Sequence, residues 1–216
     1  MIGVVRIPLR CSGAALLVTG LGLALSAPHP SVLGDRVTAD VVLSTGEWRF
    51  IHYALLVACS AGILGVLGMV AVHGDRLGRA GQLALFATML GFFATGAVML
   101  IEAVMFPDVA RAAPQVIQFD GQIFGQFWMR VAGGVAALFP FGLAALGLLA
   151  YRVGPYRNAG AALVAGVAAF MALGFFFVPV GGPVSNVAFG AVVAWWGAIV
   201  WRAAPTTSGP DAPDRR

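Results

Sequence analysis

Residues 81–106, GQLALFATMLGFFATGAVMLIEAVMF, form an apolar run that holds a single acid, Glu102, and is closed by Pro107. A run of this length exceeds the ~20 residues that cross a bilayer as a helix. Working outward, further apolar segments extend from Ile51 to Val72 and Cys11 to Ala27 on one side, and from Phe127 to Tyr151, Gly160 to Val178 and Val184 to Trp201 on the other. Each is bounded by Arg, Pro or Gly, as at Gly74-Asp75-Arg76, Pro107, Gly154-Pro155 and Pro179-Val180-Gly181-Gly182-Pro183. The whole chain agrees with its decisive stretch: 216 residues are 60% hydrophobic, 10% charged and include 29 Gly, with a mean hydropathy of +0.91. Soluble domains carry ~25% charged residues, so a water-soluble fold is excluded. The expected class is all-α, a polytopic transmembrane helix bundle of six spans. Residues 1–202 read as a single transmembrane domain, and residues 203–216, rich in Pro, Thr, Ser and Asp, as a disordered cytoplasmic tail.

The first segment has two readings. Arg6 and Arg10, a short apolar stretch and Ser26-Ala27-Pro28 resemble a secretory signal cleaved after Ala27, which would leave five spans. Leu25 is larger than a signal peptidase prefers three residues before its cut, so a retained anchor is the expectation. Orientation follows from Arg, because short loops with excess Arg stay in the cytoplasm. Nine of the 13 Arg (6, 10, 76, 79, 152, 157, 202, 215 and 216) fall on one side and Arg36, Arg49, Arg111 and Arg130 on the other. Both termini are therefore expected in the cytoplasm of a bacterial plasma membrane, with the long loops from Pro28 to Phe50 and Pro107 to Gln126 outside. All basic residues are Arg and none is Lys, a coding bias rather than a binding device. No basic run interleaved with aromatics occurs, so no nucleic-acid partner is expected. Cys11 and Cys59 lie in apolar segments without a disulfide or CxxC spacing.

Glu102 is the strongest candidate for chemistry, since a carboxylate within a span is costly in lipid and turns toward protein or water. Stepping back along its helix gives Val98, Thr95, Gly91, Thr88 and Ala84, a stripe of small residues suited to close helix packing. Glu102 lies about one turn inside Pro107, near the outer edge of the membrane core, where Arg49 and Arg130 are its expected partners. His52, Cys59, Val66 and His73 share one side of the preceding helix. His52 and His73 are 21 residues apart, about 31 Å along a helix, so no pair among them holds one ion. His29 lies in a loop, and facing histidines for haem are absent. Neither a metal nor a cofactor is expected on these grounds, and the two helical histidines read as interface markers.

Between Pro114 and Phe127, four Gln lie on one helical face and Val116, Ile117, Phe119, Ile123 and Phe124 largely on the other, the pattern of an interfacial helix. Asp120 interrupts its apolar side, either as an Asp120-Gly121 turn or as an acid directed into the bundle mouth. Trp48, Trp128 and Trp201 read as an aromatic belt, and Pro140 predicts a kink in the fourth long segment. GxSxG, HExxH, histidine boxes, a phosphate-binding Gly loop and a Schiff-base Lys are all absent from the sequence.

The pattern from the second segment to the end, including Ile101-Glu102-Ala103-Val104-Met105-Phe106-Pro107 and Ala194-Trp195-Trp196-Gly197-Ala198-Ile199-Val200-Trp201-Arg202, resembles small multi-span membrane proteins of GC-rich bacteria. That resemblance implies no activity. Three functions are compatible with the residues. The first is small-molecule or lipid binding associated with transport, at an outward polar pocket of Glu102, His52, Arg49, Arg130 and Asn186. The second is a membrane enzyme acting on an apolar substrate, an isoprenoid-cyclase-like protein in which Glu102, with Asp120 and Phe92, Phe93, Phe175 and Phe176, protonates an olefin. The third is a structural subunit of a membrane complex or homo-oligomer. Lipid bilayer is the one partner common to all three.

Overall fold

The computed structural model describes residues 9–29, 37–44, 46–117, 126–151, 156–176 and 181–203. Among these, helix accounts for nearly every residue and no strand occurs. The elements are α1 (Leu9–Leu25), α2 (Ala39–Ser44), α3 (Gly46–Ala112), a 3-10 turn (Pro114–Val116), α4 (Phe127–Ala136), α5 (Leu138–Tyr151), α6 (Arg157–Phe176) and α7 (Gly181–Ala203). Asp120, the tail from 204 onward, and the side chains of His73, Trp128, Phe175 and Phe176 lie outside the description.

Helix α3 is a hairpin of two arms. Its 67 residues are helical except at Gly78, whose φ of 58° and ψ of −163° reverse the chain. Gly populates positive φ without the steric penalty of a Cβ, and of the two glycines, Gly74 and Gly78, it is Gly78 that takes the reversal, four residues past the Gly74-Asp75-Arg76 boundary that the sequence suggested. The second arm also continues through Pro107 to Ala112, beyond its expected end at Phe106. Pro107 forfeits the helical bond its nitrogen would have donated and crowds the carbonyl four residues back, yet the backbone on either side of it stays helical. Pro140 acts as expected: the helix breaks at Ala137, between α4 and α5. Its ring collides with the carbonyl four residues back, at Ala136, and forces the chain to restart there.

The arms and four further helices close into a ring in the order first arm, α1, α7, α6, α5, second arm. Small residues make the joints. A Cβ on Gly13 would fall 2.7 Å from the Gly197 carbonyl, and one on Gly20 2.4 Å from that of Gly190. Both pairs are spaced by seven residues, so α1 and α7 run antiparallel with their backbones in contact along one seam. Ser12, fully buried, donates its hydroxyl to the Gly65 carbonyl, and Thr19 donates to Ala58 O at 3.1 Å. The stripe below Glu102 serves the same purpose, with Gly91 against the Phe139 backbone and Thr88 against Gly142. Inside the ring, Phe92, Phe139, Phe189 and Phe170 form a continuous stack with centroids 5.0 to 6.3 Å apart.

Outside, the surface is apolar: Leu21, Leu83, Phe86, Phe93 and Phe127 are each more than half exposed. A surface of this kind fits lipid, where apolar groups need no cover. Four helical stretches are long and apolar enough to cross a membrane: Gly46–Met69, Leu77–Ala112, Arg130–Tyr151 and Gly182–Ala203. Leu9–Leu25 and Arg157–Leu173 are apolar but shorter. At 17 residues, α1 rises about 26 Å, less than the ~30 Å of a typical hydrocarbon core.

Candidate functional site

At the end of the ring where α1 and the second arm finish and the first arm begins, five polar side chains are buried together within the protein: Ser26, His29, His52, Glu102 and Asn186. Local chemistry sets each in place. Beyond Leu25 the chain turns on Ser26 N–H to Leu23 O, Ala27 N–H to Ala24 O and His29 N–H to Ser26 O, at 3.0 to 3.2 Å. Pro28, which has no N–H to continue a helix, favours this exit. The turn folds His29 back over the first arm, where its ring lies 4.9 Å from that of His52 and 5.5 Å from that of Trp48. A lid of Val37, Ala39 and Val42 packs with Trp48, Phe106, Ala110 and Ile117 above it.

Trp48 organises the site. Its indole N–H donates to the Glu102 carbonyl at 3.0 Å, and its ring stacks on Phe106 across the two arms. Its own carbonyl accepts a 2.6 Å hydrogen bond from Nδ1–H of His52, one helical turn later. The expected belt position is corrected here, because Trp48 is 1% exposed. Its two polar contacts and its ring are all committed to the interior.

With Nδ1 of His52 holding its proton toward Trp48, the ring's other nitrogen faces inward. His52 Nε2 stands 2.8 Å from Glu102 Oε2 and 3.2 Å from His29 Nε2. In neutral His52 this atom is a lone pair directed at a carboxylate oxygen, and two acceptors at that distance require a cation between or upon them. A proton on the His52–Glu102 pair satisfies the need, and so does a metal ion. Ligand atoms of His29, His52 and Glu102 all lie within 4.8 Å of one another. Burial, and secondarily electrostatic repulsion from His52 whenever that ring is protonated, push His29 from 6.5 down to about 4, so it enters the cluster as a neutral imidazole.

The remaining expected residues divide. Asn186 reaches the site through Ser26: its Nδ2 donates to Gly182 O at 3.1 Å, and its Oδ1 lies 3.3 Å from the Ser26 hydroxyl beside the His29 turn. Arg49 and Arg130 are exposed, and the ion pairs among the described residues are His52–Glu102 and Arg111–Asp108. The partner of Glu102 is thus an imidazole and not a guanidinium, because a long Arg side chain at a helix start extends its head to water at little cost. His29 and Trp48 were missed as site residues. Distances along one helix exclude a cluster, yet His29 and Glu102 approach His52 from other segments. The signal available in sequence was topological, since the loop after the first segment and the outer ends of the second and third share one side.

No family profile matches the chain, and neither a curated protein nor a solved structure matches it.

Proposed function

We propose that the chain is a six-span protein of the bacterial plasma membrane, with both termini cytoplasmic, that binds a small cationic ligand at the His29–His52–Glu102 cluster near its outer face in a transport-associated role. The observation that carries this reading is the convergence of two imidazole nitrogens and a carboxylate oxygen in a buried space. Buried polar groups stay only where they are paired or serve a purpose, and in a membrane helix the second is the common case. The shorter α1 and α6 complete six spans by local thinning of the bilayer. The olefin-protonating alternative is disfavoured by His52, because a base 2.8 Å from the carboxyl takes the proton that an apolar substrate would need. A structural reading has its own support, since the Trp48 and His52 contacts to Glu102 also fasten the two arms of α3.

The test is a thermal-shift panel on detergent-purified protein with divalent metals, alkali cations and small organic amines. At least one cation is expected to raise the Tm of the wild type and leave Glu102→Gln unmoved. A panel in which no cation acts, or in which Glu102→Gln responds like the wild type, overturns the binding reading in favour of the structural one.

A further inference from the structure

Resting on that binding reading, we propose that the ligand is a divalent transition metal, with Zn²⁺ the best fit, held by Nε2 of His29, Nε2 of His52 and a carboxylate oxygen of Glu102 with one coordination position left open.

The donor set selects the class of ion. Two imidazoles and one carboxylate suit Zn²⁺ and its first-row neighbours, whereas Mg²⁺ and Ca²⁺ take oxygen ligands and soft ions take thiolates. Cys59, the nearest cysteine on the same helix, is seven residues from His52, about 10 Å away. The spacing fits as well. Metal–ligand bonds of 2.0–2.1 Å at tetrahedral angles put ligand atoms about 3.3 Å apart. Nε2 of His29 and Nε2 of His52 already stand at 3.2 Å, the 2.8 Å His52–Glu102 distance needs to open by a few tenths of an ångström, and the His29–Glu102 pair, within 4.8 Å, needs to close toward the same value. Small χ rotations of the Glu102 side chain provide that.

The surroundings are those of a metal ligand rather than of a solvated histidine. A metal-bound imidazole commonly donates its other N–H to a carbonyl or carboxylate, which fixes the tautomer and aims the lone pair. His52 does this through Nδ1–H to Trp48 O, and Trp48 is itself fixed by Glu102 O and Phe106. The three ligands come from the turn after α1 and from both arms of α3, so an ion here would clasp three segments. One carboxylate against a 2+ ion leaves a net positive charge, which favours water, hydroxide or another anionic group in the open position.

The experiment uses the full chain in detergent, stripped with chelator and titrated with Zn²⁺ and separately with Co²⁺. Expected are one Zn²⁺ per chain and, for Co²⁺, the intense visible bands of a four-coordinate ion that added Zn²⁺ abolishes. Changing an outer-shell partner of a ligand costs 10–100-fold in affinity, so loss of a ligand in His29→Gln or Glu102→Gln should cost more than about 100-fold. His29 lies in a turn outside the spans, which makes His29→Gln informative even if Glu102→Gln folds poorly. Circular dichroism of the metal-free variants establishes that the bundle persists. Absence of stoichiometric Zn²⁺ and Co²⁺ binding, or binding that survives both substitutions, overturns the proposal. If a different cation of the thermal-shift panel acts through Glu102 while Zn²⁺ and Co²⁺ do not, the metal assignment falls and the binding function stands. Six-coordinate Co²⁺ spectra with tighter Fe²⁺ binding would overturn the choice of Zn²⁺.

Discussion

Nε2 of His52 and Oε2 of Glu102 meet at 2.8 Å across 50 residues of sequence, joined through the reversal at Gly78. The contact is made between the two arms of a single helical hairpin, with Trp48 donating to Glu102 O beside it. The proposed ion site and a structural clasp therefore share the same atoms, and substitutions must be chosen to separate them.

Removing the carboxylate altogether is the harsher change. Glu102→Ala leaves His52 without its partner and opens a void, and should lower stability by about 3 kcal/mol, the lower end of what breaking a buried pair costs. Glu102→Gln retains the shape and one acceptor and should cost about 1 kcal/mol. Denaturant unfolding in mixed micelles, followed by Trp fluorescence, distinguishes them. Equal losses for the two variants would mean that the charge, and not the packing, supports the hairpin.

Much of this architecture is legible in the sequence and the candidate cluster is only half so. Span positions follow from runs of apolar residues, and the packing face below Glu102 from Gly91 and Thr88, because both signals are local and periodic. The Gly78 reversal was displaced by four residues, since Gly74-Asp75-Arg76 carries the stronger turn composition and only the backbone geometry selects between two glycines. His29 was set aside as a loop residue. Its position depends on a turn closed by Ser26 and on ring contacts with His52 and Trp48, tertiary features without a periodic trace. Arg49 and Arg130 were favoured by charge alone, which ignores that exposed guanidinium groups lose little by remaining in water.

Acid should weaken the metal-free protein through His29. Its folded value of about 4 lies below the 6.5 of an exposed histidine, so between these limits the unfolded chain holds the extra proton. Stability then falls as pH drops from about 6.5 toward 4, by up to about 3 kcal/mol, and changes no further from this group below that. The side chains that face it are those of His52, Glu102 and Trp48. Comparing melts of chelated wild type and His29→Gln at pH 7.5 and 5 tests this. A wild type no more acid-sensitive than the variant would refute it.

The seam between α1 and α7 should tolerate no added bulk. Gly20→Val and Gly190→Val each push a side chain into the opposite backbone, 2.4 Å from where a Cβ would stand, and should cost at least the 1–3 kcal/mol typical of overpacking. Gly46→Ala is the control, with nothing within 4 Å of the added carbon. If Gly20→Val melts with the control, the helices do not meet as described.

The same seam bears on the fate of the amino-terminal segment. Leu16 is wholly buried, Gly13 and Gly20 lie against α7, and Ser12 and Thr19 donate to carbonyls of the first arm. A segment released by signal peptidase would leave that groove open and its partners exposed to lipid. It would also cut the chain at Ala27, two residues before His29, and free the turn that aims the imidazole at His52. We therefore expect α1 to remain attached after insertion, with intact-mass measurement on membrane-extracted protein showing the uncleaved chain. A cysteine at Ser31 or Gln115 should react with an impermeant maleimide from outside the cell, and one at Gly154 only after the membrane is opened. A mature protein beginning at Pro28 that still binds Zn²⁺ at full affinity would show that the site does not need α1, and external labelling at Gly154 would invert the orientation derived from Arg.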